Sequence, residues 1–135
     1  MKMNQGQKTL KDIMTRGIIT ISAQSSISEI ADTLARNNIS SAPIVTINGE
    51  TMGIVSEMDV LKAMGKPEWM KYDAECIMSH SVISAPASTT IDEAARIMVD
   101  KKIHQLLVLS EKGIGGMRKP IGIVSAGDLI KKAAS

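Results

Sequence analysis

Two short motifs carry the side chains best placed for chemistry. Gly53 to Asp59 reads Gly-Ile-Val-Ser-Glu-Met-Asp, and Gly122 to Asp128 reads Gly-Ile-Val-Ser-Ala-Gly-Asp. Each sets a serine and an aspartate three residues apart, Ser56 with Asp59 and Ser125 with Asp128. A strand-like apolar run leads into each motif and a helical run follows, so the serine falls at a helix N-cap and the aspartate in the first turn. A helix start attracts anions. A carboxylate there accepts hydrogen bonds from the two hydroxyls of a ribose, and a serine hydroxyl donates to a phosphate. The plainer reading needs no ligand: the serine caps the helix and the aspartate complements the cap and the dipole. Two occurrences favour the ligand reading and leave the plainer one open.

Other chemistry finds less support. Cys76 and His80 lie four residues apart, but no orienting third group or oxyanion donor accompanies them. The chain is therefore read as a non-enzyme. Asp12, Glu29, Asp59, Glu93 and Asp128 fall at helix starts, which explains them without acid–base work. One cysteine and two histidines exclude a disulfide framework and a cysteine-based zinc site. No metal and no covalent cofactor are expected.

The elements that position the two motifs come from an internal duplication. With Met14 set on Met78, an offset of 64 residues, Ile19 meets Ile83, Ile27 meets Ile91, Glu29 meets Glu93 and Ile39 meets Ile103. The Gly-Ile-Val-Ser runs match at an offset of 69, Gly53 onto Gly122, so the second copy holds five extra residues within Glu111 to Pro120. Insertions that leave both flanks in register belong in loops. Each copy begins with a segment ending in Ile-Met. A first strand follows, over Ile18 to Ile21 or Val82 to Ala85. Ser26 with Glu29, and Thr90 with Glu93, have capping-box spacing. Ile27, Ile30, Ala31, Leu34 and Ala35 then follow a helical apolar stripe, as do Ile91, Ala94, Ala95, Met98 and Val99. Strands are expected near Pro43 to Ile47 and Met52 to Val55, joined by a turn at Asn48-Gly49, and near Leu106 to Leu109 and Ile121 to Val124. A last helix starts after Ser56 or Ser125. The fold class is α+β with an α/β-like order: two tandem β-α-β-β-α repeats packed sheet to sheet with pseudo-twofold symmetry. Repeat 1 covers residues 8–65, a linker with a short helix covers 66–75, and repeat 2 covers 76–134. The Gly113, Gly115 and Gly116 loop precedes a strand rather than a helix, so it reads as a long hairpin loop and not a phosphate cradle. Arg118 and Lys119 beside it are within reach of a ligand phosphate or a partner.

Composition limits the partners. The chain has 135 residues, 44% of them apolar and 22% charged, enough for a packed core and too ordered in character for a disordered segment. A net charge of +2, with one Trp, one Tyr and no Phe, argues against nucleic-acid binding, which draws on basic patches and aromatic stacking. The ten methionines fill core gaps. No apolar run approaches the ~18 residues of a membrane span, and the polar N-terminus lacks a signal-peptide apolar region. A cytoplasmic location is expected.

The paired Ile-Met segments, Ile39-Ser-Ser-Ala-Pro43 and the two Gly-Ile-Val-Ser-x-x-Asp runs resemble the cystathionine-β-synthase (CBS) domain pair, or Bateman module, over roughly Leu10 to Ala133. The resemblance implies that Asp59 and Asp128 grip a ribose while Ser56 and Ser125 help hold phosphate. It implies an adenine base between aliphatic residues, Ile19 with Ile54 and Ile83 with Ile123, in sites drawn from both repeats, for instance Ile19 with Asp128. The plainer reading of those isoleucines is core packing. The resemblance adds Ser40, Ser41 and Pro43 in the first repeat, and Lys102, His104 and Gln105 in the second, as ligand-binding residues, with the phosphate contact expected from the Lys102, His104 and Gln105 cluster. Lys101 and Lys102 have a plainer reading as a solvated helix end. The first repeat has Asn37, Asn38, Ser40 and Ser41 where the second has its cations, so the stronger phosphate contact is expected in the second. There Leu107 replaces the proline.

The resemblance implies a stand-alone regulatory protein. It binds an adenine nucleotide or another adenosyl ligand (AMP, ADP, ATP, an NAD-like dinucleotide or S-adenosylmethionine), forms a homodimer and signals to a separate effector protein. Two other readings are a ligand-free dimerisation scaffold and, with least support, a nucleic-acid-binding module.

Overall fold

Both capping boxes form as their spacing predicts, and they start the two longest helices. The Ser26 amide donates to Glu29 Oε1 at 2.8 Å, and the Glu29 amide donates back to Ser26 Oγ at 3.1 Å. Thr90 and Glu93 repeat this at 3.1 and 3.2 Å. Hydrogen bonds from the Thr90 amide and then its hydroxyl hold the Glu93 carboxyl below its ordinary value of 4.5, against a smaller opposing desolvation. A carboxyl lowered in the folded state stabilises fully above its unfolded pKa and loses that contribution as pH falls through the folded one. Glu93→Gln is therefore expected to flatten the fall in stability below about pH 4.5. Urea titrations across that range check it, and an unchanged slope would contradict it.

The computed structural model describes residues 8–111 and 118–134. In chain order the elements are α1 (Leu10–Ile13), β1 (Thr15–Arg16), β2 (Ile21–Ser22), α2 (Ile27–Arg36), β3 (Ser41–Val45), β4 (Thr51–Ser56) and α3 (Glu57–Met64). A 3₁₀ turn (Trp69–Lys71) follows, then α4 (Ala74–Ile77), β5 (Ser84–Pro86), α5 (Ile91–Lys101), β6 (Gln105–Leu109), β7 (Pro120–Ser125) and α6 (Ala126–Ala134). One sheet has the order β2-β3-β4 and the other β1-β7-β6-β5. In each, a short strand runs parallel to a central one (β2 with β3, β5 with β6), and the central one pairs antiparallel with the strand that carries Gly-Ile-Val-Ser. The fold is α+β and duplicated.

Several boundaries differ from the sequence expectation. The first strand of each copy begins later, at Ile21 and Ser84. Ile47 belongs to the turn, where it is 102% exposed, and not to β3. Thr46 Oγ1 accepts from the Asn48 and Glu50 amides, so the reversal occupies five residues around Gly49. Ala35 and Val99, eight residues into their stripes, are exposed, Val99 at 75%. A residue at i+8 has rotated to the edge of the buried face. The Gly113, Gly115 and Gly116 loop lies outside the described residues. Its ends behave as a hairpin, with the Ser110 amide donating to the Lys119 carbonyl at 2.9 Å.

The chain divides into two compact units, residues 19–82 and residues 1–18 with 83–135. This partition by contact differs from the partition by motif, because each Ile-Met segment lies in the unit built by the other repeat. In the 83–134 unit, the Leu10 amide donates to the Thr89 carbonyl at 2.9 Å and the Lys11 amide to Ala87 at 3.1 Å. In the 19–82 unit, Ala74 donates to Ser25 at 2.8 Å and Glu75 to Ala23 at 3.2 Å, the same bonds at an offset of 64. Ile27, Ile30, Leu34, Ile44, Val55, Val60 and Met78 form the core of the 19–82 unit. Leu10, Met14, Ile91, Met98, Leu106, Val108, Val124 and Leu129 form the other.

Candidate functional site

Strand register decides what each sheet face carries. In β3 and β4, Ala42 sits across from Val55 and Ile44 across from Gly53, and these four are buried in the core. Alternation puts Pro43 and Ile54, an opposed pair, on the other face. In β6 and β7, Leu106 faces Val124 and Val108 faces Gly122 on the core side, and Leu107 opposes Ile123 on the other. Leu107 is thus the positional counterpart of Pro43. Ile19, Ile54, Ile83 and Ile123 are all half-buried and outside the fully buried core.

At the end of each of these strands stands the Ser-x-x-Asp motif. The Ser56 amide donates to Asp59 Oδ2 at 2.8 Å, and the Asp59 amide donates to Ser56 Oγ at 3.3 Å. For Ser125 and Asp128 the distances are 2.8 and 3.1 Å. The plainer reading is therefore realised in full: both motifs are helix caps. It occupies one carboxylate oxygen of each aspartate and leaves Oδ1 without a hydrogen bond among the described residues. The two copies differ in one bond. The Ser56 hydroxyl donates to Asp59 Oδ2 at 3.0 Å, whereas the Ser125 hydroxyl has no such bond among the described residues.

Most other predicted site residues gather beside these caps. In the 19–82 unit, the Ser40 carbonyl accepts from the Glu57 amide at 2.9 Å and Ser41 sits across from Ser56. In the second unit, the His104 carbonyl accepts from the Ala126 amide at 2.8 Å and Gln105 sits across from Ser125. Both backbones thus tie the residue before the central strand to the first turn of α3 or α6. His104 and Gln105 are exposed, and so is Lys102, which ends α5 in a left-handed conformation at φ 56°. Asn38, its counterpart, has φ 54°. A β-carbon makes that conformation costly, by about 1 kcal/mol or more, and Asn bears it better than Lys. Ile83 begins the later segment of the unit that also contains residues 8–18, and its carbonyl accepts from the Leu107 amide at 3.4 Å. Ile19 begins the first unit, so Ile19 and Asp128 fall in different units.

Two hydroxyl residues went unnoticed in the sequence. Thr15 pairs with Ile123 in the sheet, and Ser79 bridges to Ile54, with hydrogen bonds of 3.0 and 2.8 Å between the Ile54 and Ser79 backbones. The signal was present: each directly follows an Ile-Met pair. Among the described residues, no cluster of three metal-ligating side chains occurs and no helix is long and apolar enough to cross a membrane.

Two copies of one β-α-β-β-α unit, each with a capped carboxylate at the start of its last helix, define a tandem module of the Bateman type. A CBS-domain family model matches residues 10–66 and again 74–135, and the chain belongs to that family. It is 32% identical over 120 residues to the L-aspartate semialdehyde sulfurtransferase of Methanocaldococcus jannaschii, covering 89% of this chain but only 22% of that enzyme. An uncharacterized protein of the same organism is 28% identical over 155 residues, with 90% of this chain and 89% of the relative covered. Among solved structures, a CBS domain pair in complex with 5′-methylthioadenosine and S-adenosyl-L-methionine matches with a TM-score of 0.77 at 31% identity, covering 92% of this chain and 94% of that one. CBSX2 in complex with AMP matches in fold, with a TM-score of 0.79 at 24% identity over 93% and 96% of the two chains. CBS pairs are regulatory modules, and the enzymes among these relatives carry the module as one part of a longer chain.

Proposed function

We propose that this chain is a regulatory CBS pair that binds an adenosyl ligand and passes its occupancy to a partner, without catalysis of its own. The observation that carries this reading is the duplicated Ser-x-x-Asp cap. Each holds a carboxylate rigidly by one oxygen and leaves the other to accept from ribose hydroxyls. The half-buried isoleucines Ile54 and Ile123 stand two residues before the motif serines and five before the aspartates, and with Ile19 and Ile83 they supply the aliphatic surface for a base. The likeness at 31% identity to a CBS pair bound to methylthioadenosine and S-adenosylmethionine supports the adenosyl class.

The phosphate preference falls to the second repeat. There the Ser125 hydroxyl accepts from the Asp128 amide but its proton has no acceptor among the described residues, and Lys102, His104 and Gln105 line up before and along β6. The strained Lys102 conformation supports a role beyond solvation, since backbone strain persists where function repays it. Ser40, Ser41 and Pro43 give the first repeat a neutral rim beside Asp59, suited to a ligand without phosphates. We also read the chain as a homodimer in the cytoplasm. Ligand binding shifts an assembly only by its differential affinity for the two states.

Thermal unfolding against AMP, ADP, ATP, NAD, 5′-methylthioadenosine and S-adenosylmethionine, with GMP as control, tests the reading. A ligand at 100 times its dissociation constant adds about 2.7 kcal/mol to the folded state, a readily measured shift. No shift with any adenosyl ligand would leave the ligand-free scaffold. Asp128→Ala is expected to weaken a ligand of the second-repeat site by about 1–3 kcal/mol, roughly 5- to 150-fold, through lost charge-assisted bonds. Titration calorimetry measures this, and an unchanged affinity removes Asp128 from the site.

A further inference from the structure

We propose that Asn48, at the tip of the β3–β4 hairpin, is a site of spontaneous covalent modification, where the side-chain amide is lost and the main chain is rerouted through an isoaspartate.

The chemistry needs an asparagine that solvent reaches and a following residue that leaves its amide nitrogen open. Asn48 is exposed, and Gly49 after it carries no side chain to obstruct that nitrogen. Asparagine is among the thermolabile residues. The other asparagines of the chain precede larger residues: Asn4 precedes Gln5, Asn37 precedes Asn38 and Asn38 precedes Ile39. Asn37 is also tied down, its side-chain amide donating to the Thr33 carbonyl at 2.7 Å, and the Ile39 amide donates to the Leu34 carbonyl at 3.0 Å. At the offset of 64, Asn48 corresponds to Lys112, so the second repeat has no such side-chain amide. The modification therefore falls on one repeat.

The Gly49 amide nitrogen gives its proton to solvent and bonds to Asn48 Cγ. The bond from Cγ to the side-chain nitrogen breaks, and that nitrogen leaves as ammonia. Water then opens the five-membered imide. Cleavage at Cγ restores the ordinary backbone with an aspartate. Cleavage at the main-chain carbonyl carbon leaves the chain running through Cβ and Cγ, with the former main-chain carbonyl as a carboxylate. By either route one amide and one water become one carboxylate and one ammonium ion.

The turn restrains the first step. The Gly49 amide donates to the Thr46 carbonyl at 2.9 Å, so its nitrogen is committed while the turn is closed. The Thr46 hydroxyl accepts from the Asn48 and Glu50 amides, each at 3.2 Å, and the Thr46 amide donates to the Glu50 carbonyl at 2.8 Å. Thr46 is thus a latch, and reaction waits on its release. An isoaspartate adds a main-chain atom inside a loop whose length fixes the strand register. The first pair beyond the turn is Val45 with Thr51, whereas Ser41 pairs with Ser56 at the far end of the hairpin. The change is therefore felt in the stability of the 19–82 unit before it is felt at the candidate site.

The full chain is held in warm, mildly alkaline buffer and followed by ion exchange and peptide mass mapping, with the same chain unfolded in guanidinium chloride as reference. One acidic species is expected, with aspartate and isoaspartate at position 48, forming more slowly than in the unfolded chain. Asn48→Gln, whose longer side chain closes the imide ring far less readily, is expected to lack it. Thr46→Val is expected to speed its formation by roughly 2- to 10-fold, the rate equivalent of one net hydrogen bond. A folded chain that stays unmodified while the unfolded reference is converted overturns the proposal, as does an acidic species that maps to Asn37 or Asn38. An unchanged rate in Thr46→Val overturns the latch. The isoaspartate form is expected to melt below Asn48→Asp, which carries the same charge on an ordinary backbone, and equal melting temperatures overturn the effect on the hairpin.

Discussion

Leu10→Ala is expected to cost about 3 kcal/mol of folding stability and to lower the melting temperature by on the order of 10 °C. Leu10 lies in a helix of only four residues near the start of the chain, a place where substitutions are ordinarily tolerated. Its side chain is nevertheless 0% exposed and belongs to the core formed with Met14, Ile91, Met98, Leu106, Val124 and Leu129. Its amide is bonded to Thr89 and its neighbour's to Ala87. Truncation removes three carbons from that core and leaves a cavity whose walls, sheet and helix, collapse only partly. Ile47→Ala, at a fully exposed turn position, is the control and is expected to change stability by less than about 0.5 kcal/mol. Hydrogen exchange adds a regional readout. Protection is expected to fall in β6 and β7, which share the Leu10 core, and to persist in β3 and β4. Losses confined to residues 19–82 would show that α1 stabilises the repeat it precedes in sequence.

Gly53→Ala and Gly122→Ala are each expected to cost about 1–3 kcal/mol, with the upper end favoured. An ideal β-carbon on Gly53 would lie 2.6 Å from the Ser79 carbonyl oxygen and 2.8 Å from Met78 Sδ. On Gly122 it would lie 2.6 Å from Met14 Sδ and 2.9 Å from the Thr15 carbonyl oxygen. A methionine side chain can move aside. The carbonyls cannot do so cheaply, because they belong to backbone paired with the same strand: Ser79 with Ile54, and Thr15 with Ile123. Gly65→Ala, where the nearest atom is Lys62 O at 3.5 Å, is expected to be close to neutral. Denaturant unfolding of the three variants distinguishes this account from a general cost of removing glycine. Equal effects at all three positions would contradict it. The consequence reaches the candidate site, since Gly53 and Gly122 lie within the strands that end at Ser56 and Ser125.

Much of this molecule was written locally in the sequence. Ser26 with Glu29, Thr90 with Glu93, Ser56 with Asp59 and Ser125 with Asp128 specify helix starts because each bond closes within four residues. Ile27, Ile30 and Leu34 mark a buried face because side-chain period and helix period agree. Asn48-Gly49 announces a reversal for the same short-range reason. The duplication and the family resemblance rest on these local signals repeated at a fixed offset.

Other features depended on contacts that leave no such period. The exposure of Val99 and Ala35 was set by how far around the helix the core extends. The roles of Thr15 and Ser79 beside Ile123 and Ile54 came from strand pairing across more than twenty residues. The exchange of the Ile-Met segments is the clearest case. Leu10 is held by the carbonyl of Thr89, and a backbone carbonyl offers the same acceptor whatever side chain it carries. The sequence by itself determined the repeated elements, their caps and the two carboxylates at the helix starts, because those interactions close within one turn. Only the tertiary structure decided which repeat each Ile-Met segment completes and why the motif glycines must stay small, because those depend on which distant strands come to lie side by side.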